Sequence, residues 1–286
     1  MAPIYEFNKE QSKAIEMLGI GKRRNDLEKQ TQDTSQIAVQ DTSNWVMIPH
    51  EFTNGKYSLI FDPARISHNS GVEKVGKELG INYENISKDS LGREFIGENN
   101  WSDSLKLNLG LGNKTMNTQE FTDAGKLLYL GMQGEIKVYN AKGDQIKQET
   151  LKGYFEDIFQ AKSPWRAEWI DADFKSKNDK LYINFNHRLN NQGILVPKNS
   201  QILAKNTLMQ DKTPGISLES WIGNPTRQGL PKDSTNEGDL HYWSPGNDNN
   251  SVARFDASSV RAGLNCYGDP SSWYSFLGVR AAKLRE

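Results

Sequence analysis

Three acidic residues in one short run, Glu168, Asp171 and Asp173, are the first whose types suggest chemistry. Neighbouring carboxylates serve as general acid and base, or as hard ligands for a metal. Strand alternation would put Asp171 and Asp173 on one face. No histidine stands near them in sequence, and His50, His68, His187 and His241 form no spacing motif. A charged sheet face therefore accounts for the three acids. Cys266 is the single cysteine, a candidate nucleophile with His241 or His187 as its base. A lone cysteine in a strand is usually a small buried hydrophobe, so no catalytic residue is expected and the chain reads as a non-enzyme. Gly246-Asn-Asp-Asn-Asn-Ser251 clusters oxygen atoms as calcium sites do, but lacks the alternating spacing and closing glutamate of an EF-hand loop. An Asn-rich turn is expected there. No metal or cofactor is expected, and structural calcium stays an unsupported option.

The C-terminal stretch carries a different signal. Trp273-Tyr-Ser-Phe follows Gly268, Asp269, Pro270, Ser271 and Ser272, so its aromatics sit in a loop context. Tyr and Trp on loops supply contact area at low entropic cost, while Ser, Gly, Asn and Asp supply adaptable hydrogen bonds. The candidate ligand-contact set is Asn247, Asp248, Asn249, Asp256, Ser258, Val260, Tyr267, Gly268, Asp269, Ser272, Trp273, Tyr274 and Phe276. Arg254, Arg261 and Arg280 lie among apolar neighbours in strand-like pieces, where a guanidinium can pin loops through backbone carbonyls. With Gly278, Val279 and Ala262 they form the expected scaffold, and Val252, Phe255, Leu277 and Val279 are expected to be buried.

These residues need elements to hold them. A helix is expected over 8–18, followed by a polar arm to residue 44. The folded domain is expected over 45–286. Tyr57-Ser-Leu-Ile-Phe-Asp reads as a strand closed by Pro63; Val72, Val75 and Leu79 as a helix stopped by Gly80. Asn117-Thr-Gln-Glu120 opens a second helix as a capping box, with Phe121, Ala124, Leu127 and Leu128 as its buried stripe. Leu151, Phe155, Ile158 and Phe159 mark a third. After Pro164 the period changes to two, and 175–180 can close a hairpin. A short helix is expected over 217–222, then strands at 241–243, 252–255, 261–266 and 277–282. Helices first and strands later indicate an α+β domain.

Thirty-five basic against thirty-six acidic residues leave a net charge of -1, which gives no reason to expect nucleic acid as a partner. The opening residues lack the basic and apolar regions of a signal peptide, and no apolar run reaches membrane-spanning length. A cytoplasmic or virion-associated protein with no membrane insertion is expected; the oligomeric state is not legible.

The run Arg261-Ala-Gly-Leu-Asn-Cys-Tyr-Gly-Asp-Pro and the closing Leu277-Gly-Val-Arg-Ala-Ala resemble the end of a C-type lectin fold of the formylglycine-generating-enzyme type. More narrowly, the chain resembles variable proteins of diversity-generating retroelements, especially archaeal and viral ones. Ser163-Pro-Trp-Arg-Ala-Glu-Trp-Ile-Asp-Ala, Leu181-Tyr-Ile-Asn-Phe-Asn-His and Lys212-Thr-Pro-Gly-Ile-Ser-Leu-Glu-Ser-Trp support the likeness, which runs from about residue 117 to the C-terminus. It implies a C-type lectin-like domain with helices packed around small antiparallel sheets and much irregular loop. It also implies a variable region at about 242–280, rewritten by adenine-directed mutagenesis to bind varied protein or cell-surface ligands. Randomising the adenines of an asparagine codon yields Tyr, Ser, Gly, Asp, Phe and Val among others, and never a stop. Asp248, Asp256, Ser258, Val260, Tyr267, Gly268, Ser272, Tyr274 and Phe276 are reachable in this way, and Trp273 from an AGG arginine codon. Two alternatives remain. One is a formylglycine-generating-type enzyme, whose paired-cysteine chemistry Cys266 alone does not reproduce. The other is a virion adhesion or structural protein with an aromatic oligomer interface.

Overall fold

The computed structural model describes residues 40–81 and 86–285; the helix expected at 8–18 and most of the polar arm lie outside the described residues. β1 (Val46–Ile48) and β2 (Leu59–Arg65) open the described chain, followed by α1 (Ser70–Leu79), β3 (Ile86–Lys88), β4 (Glu94–Ile96) and α2 (Trp101–Gly110). α3 (Thr118–Gln133) and α4 (Gln148–Phe159) precede β5 (Arg166–Lys177), β6 (Lys180–Leu189), β7 (Leu195–Ile202) and β8 (Lys212–Ile216). α5 (Leu218–Gly223), β9 (Leu240–Trp243), β10 (Ser251–Ala257), β11 (Ala262–Gly268) and β12 (Leu277–Leu284) complete the described elements. Residues Asp41–Glu286 make one compact unit.

Local signals place several of these elements. Gly80 stops α1 in the left-handed region at φ 68°, donating to the carbonyls of Gly76 and Lys77. At α3 both halves of the capping box form: the Asn117 side chain accepts from the Glu120 N–H, and the Glu120 carboxylate accepts from the Asn117 N–H. Asn178 and Asp179 both take positive φ and close the β5–β6 hairpin in two residues. β2 does not end at Pro63 as expected but continues to Arg65. The pairing with β1 stops at Phe61, so the proline's missing N–H costs no ladder bond on that side.

The expected architecture is corrected. In place of small antiparallel sheets with helices packed around them, ten strands join in one large mixed sheet, with the order β1-β2-β12-β5-β10-β11-β9-β8 and the β6–β7 hairpin added to β5. The sheet dominates the fold. β12 runs parallel to β5 and antiparallel to β2, so the last strand ties the first pair to the centre. Four residue pairs join β12 to β2 and three join it to β5, all between segments more than a hundred positions apart, which no local pattern reveals.

β5 is the axis. Its first half lies between β12 and β10, and its second half between β6 and β10. Two extra β5 residues interrupt the register with β10 between Trp169 and Asp173, where β12 leaves and β6 joins. Phe255, paired with Glu168 across β10 and β5, packs on Phe121 of α3 and Phe159 of α4. There Phe121, Phe155, Phe159, Trp221 and Phe255 form the aromatic centre of the core. Trp169 and Arg254, the next pair, face the other way, where the Trp169 indole donates to the Asn99 carbonyl and Arg254 lies over the Trp169 ring.

Candidate functional site

The frame behind the C-terminal segment is ionic and dry. Arg280 places Nε 2.8 Å and Nη2 3.1 Å from the two Glu168 carboxylate oxygens and donates Nη1–H to the Pro63 carbonyl. Arg65 bridges Asp157 at 3.2 Å and Glu168 at 3.4 Å. Arg166 reaches Asp157 at 3.2 Å and donates to the carbonyls of Glu156, Asp157 and Gln160, tying the end of α4 to the start of β5. Burial alone would raise the Asp157 carboxyl. The surrounding Arg65, Arg280 and Arg166 charges and the Ser90 hydrogen bonds outweigh it and hold that carboxyl well below its usual range. Glu168 is lowered for the same reason, burial being overcome by Arg280 and Arg65. The expected charged sheet face is thus corrected: β5 is buried on both faces through its first nine residues, and its charges are paired inside.

Gly278 belongs to this frame by contact. A Cβ there would lie 2.8 Å from the Phe95 ring and 3.0 Å from the Arg65 side chain. Arg254 is half-buried, 3.1 Å from Asp256 and stacked over Trp169 at 6.0 Å. Arg261 is corrected: it precedes β11, is exposed, and lies over the Trp243 ring at 5.6 Å. Val252, Phe255, Leu277 and Val279 are buried.

Between β11 and β12 the chain is held by its backbone. The Pro270 carbonyl accepts from Trp101 N–H at 3.1 Å, the Tyr274 carbonyl from Glu98 N–H at 3.0 Å, and the Ser275 carbonyl from the Ser87 hydroxyl at 2.6 Å. The side chains point elsewhere: Trp273 is 67% exposed and Tyr274 49%. Phe276 is half-buried between two rings, stacked on Trp165 at 3.8 Å and on Tyr274 at 5.1 Å with planes 4° apart. Trp165 is itself about half exposed, so the three rings form one solvent-facing slab. Val260, 84% exposed, and half-buried Ser258 cap the β10–β11 turn, at the end of the sheet where Ala257 pairs with Arg166.

The thirteen candidate contact residues do not form one surface. Asn247, Asp248, Asn249, Tyr267 and Asp269 are exposed at the other end of β10, about 20 Å away at roughly 3.3 Å per residue. There the Asp248 carboxylate accepts from Ser251 at 2.7 Å and Asn250 N–H at 3.0 Å, and the Asn249 side chain accepts from Ser176 N–H. Two of the oxygens that suggested a cation loop are thus engaged, that of Asp248 within the turn and that of Asn249 with β5. Ser272 is half-buried. Two candidates are corrected as buried: Asp256, whose carboxyl is raised by burial despite Arg254, and Gly268, where a Cβ would meet the Val252 carbonyl oxygen at 2.8 Å.

Sequence spacing also missed a cluster. His187 on β6 joins Asp171 and Asp173 across the β5–β6 pair, with Nδ1 2.5 Å from Asp171 and Nε2 3.3 Å from Asp173. Burial alone would depress the imidazolium; the two carboxylates outweigh it and push its pKa up to about 9. A Trp101 ring edge closes the third side at 5.0 Å. The absence of a near histidine in sequence was a poor guide, because a hairpin brings residues sixteen apart face to face. His187 is thereby committed to the two acids rather than to Cys266, which lies buried in β11 with its thiol pushed up by burial.

Among the described residues no helix is long and apolar enough to cross a membrane. No family model, no curated protein and no solved structure matches this chain.

Proposed function

We propose that the protein is a ligand-binding protein that recognises varied protein or cell-surface ligands by contact alone. Its recognition surface is the Trp165–Phe276–Tyr274 slab with Trp273, Ser258 and Val260. The observation that carries this reading is how residues 269–276 are held: hydrogen bonds to the carbonyls of Pro270, Tyr274 and Ser275 fix the loop. Those bonds do not depend on which side chains the loop bears, so side chains there are free to change while the backbone stays in place. Exposed Trp and Tyr are the side chains most enriched at contact hot spots, and Ser258 and Val260 flank them at the same end of the sheet.

The reading extends to how the surface arises. Ser258, Val260, Tyr274 and Phe276 are each reachable from an asparagine codon by adenine change alone, and Trp273 from an arginine codon. Adenine-directed retroelement mutagenesis is therefore proposed to diversify these positions. The coding DNA tests this directly. A second copy of the segment for residues 251–280 that differs only at adenines, beside a reverse transcriptase gene, is the expected finding. Copies with differences spread over all four bases would overturn it. The choice between a recognition surface and a subunit interface is tested separately, by changing Trp273, Tyr274 and Phe276 to serine and measuring size in solution. An unchanged size agrees with a recognition surface, whereas collapse of an oligomer would reassign the slab as a subunit interface.

A further inference from the structure

Away from the recognition surface, the fork in β5 opens a cleft of about 800 Å³. The segment before α3 fills the fork: Lys114 exchanges two backbone hydrogen bonds of 2.8 Å with Ala282 of β12, and the Met116 carbonyl accepts from Asp171 N–H at 2.9 Å. The start of α3, β6, β7, the 227–228 turn and the end of β12 then wall the space. Its size falls in the range of small-molecule sites, about 300–1,000 Å³. None of the thirteen C-terminal candidates lines it.

The lining departs from the rest of the chain in charge. Across the sequence basic and acidic residues nearly cancel, 35 against 36. Around the cleft stand Lys56, Lys114, Arg188, Lys198 and Arg227, against one carboxylate, Glu120. Lys114 lies 2.5 Å from Glu120 at the floor and also donates to the Asn186 side-chain oxygen at 2.8 Å. Arg227 donates one N–H to the Ile202 carbonyl at 3.2 Å. Lys56, Arg188 and Lys198 are exposed and have no acidic partner among the described residues. Low-dielectric walls concentrate the field of such a group of cations inside a concave space.

The floor is also held in an unusual backbone state. Asn186 sits within β6 yet has φ +55°, a conformation that costs energy and persists only where its surroundings fix it. Its amide is held by Lys114, Asn117 and Asn199 at 2.8, 3.1 and 2.9 Å. Ile183, Phe185 and Leu284 add apolar wall between the polar floor and the basic rim. A small inorganic ion would leave that wall and most of the volume unused.

We propose that this cleft binds a small organic anion bearing two or more negative charges on a compact apolar body, such as a phosphate ester or a dicarboxylate. The charges sit among Lys56, Arg188 and Lys198, and the apolar body rests on Phe185 and Leu284.

Calorimetric titration of the full chain at low ionic strength tests this with four probes: phenyl phosphate, phthalate, inorganic phosphate and benzyl alcohol. Phenyl phosphate, phthalate or both are expected to fill one site with a Kd below about 1 mM, and whichever binds more tightly identifies the charged group. Benzyl alcohol is expected not to bind, and inorganic phosphate to bind at least about tenfold more weakly. In the Arg188→Glu/Lys198→Glu variant the affinity is expected to fall at least about tenfold, with an unchanged circular dichroism spectrum. A Lys142→Glu/Lys152→Glu variant, which makes the same charge change at exposed positions outside the cleft, is expected to bind as the parent does. The proposal is overturned if neither organic anion binds, if inorganic phosphate binds as tightly, or if the two double variants lose affinity equally.

Discussion

Trp273 and Arg280 are seven residues apart in one continuous segment, and their surroundings are opposites. Around Trp273 the backbone carries the bonding and the side chain faces water. At Arg280 the side chain carries the bonding, to Glu168 and Pro63, and water is excluded. The carbonyl bonds of the first arrangement call for no particular side chain at Trp273 or Tyr274, whereas those of the second need Arg280 itself. The proposed function, variation of one surface on one fold, calls for both arrangements next to each other. The three-ring slab and the Arg65–Asp157–Glu168–Arg280 network meet across the start of β5 and β12, where the Phe276 carbonyl accepts from Ala167 N–H.

The contrast predicts unequal costs of substitution. Arg280→Ala should have the largest effect, because it leaves buried Glu168 without its closest partner. A loss of about 3–5 kcal/mol in denaturant unfolding is expected, the usual cost of breaking one half of a buried ion pair. An unchanged midpoint would remove the frame from the account.

The His187 cluster is a second buried ionic unit, and pH tests it. Its folded pKa of about 9 lies above the ordinary 6.5, so its contribution is fully present below pH 6.5 and is lost as pH rises through 9. Up to about 3 kcal/mol of stability should disappear over that window. His187→Gln should flatten the slope between pH 6.5 and 9; an equal slope in both proteins would show that another group titrates.

Gly268→Ala sharpens the boundary at the surface itself. Gly268 lies between exposed Tyr267 and exposed Asp269, yet the new Cβ would press on the Val252 carbonyl. A cost of about 1–3 kcal/mol is expected, as for other overpacked sites. Full tolerance in thermal unfolding would return Gly268 to the displayed set.

What the sequence made legible follows the range of the interactions. The capping box at Asn117 and Glu120, the left-handed stop at Gly80 and the break before β5 are local, and they read directly from neighbouring residues. The loop character of residues 269–276 was legible for the same reason, since Gly, Asp, Pro and Ser cluster there. The single large sheet was not, because β12 pairs with β2 across more than two hundred residues and β10 with β5 across about eighty. Strand alternation put Asp171 and Asp173 on one side correctly, but it carried no information on what covers that side. Glu168 looked like a surface charge because its partners, Arg65 and Arg280, are each more than a hundred residues away. Trp165 did not stand out in the sequence: only the β5–β12 pairing brings it against Phe276.

One selection experiment bears most directly on separating a changeable surface from a fixed frame. A library that randomises only adenines in asparagine codons placed at Ser258, Val260, Trp273 and Tyr274 is displayed and selected against an arbitrary folded protein. Binders are expected whose unfolding free energies stay within about 0.5 kcal/mol of the parent, as for surface positions in general. A library that yields no binder, or only members that have lost the native fold, would contradict the account.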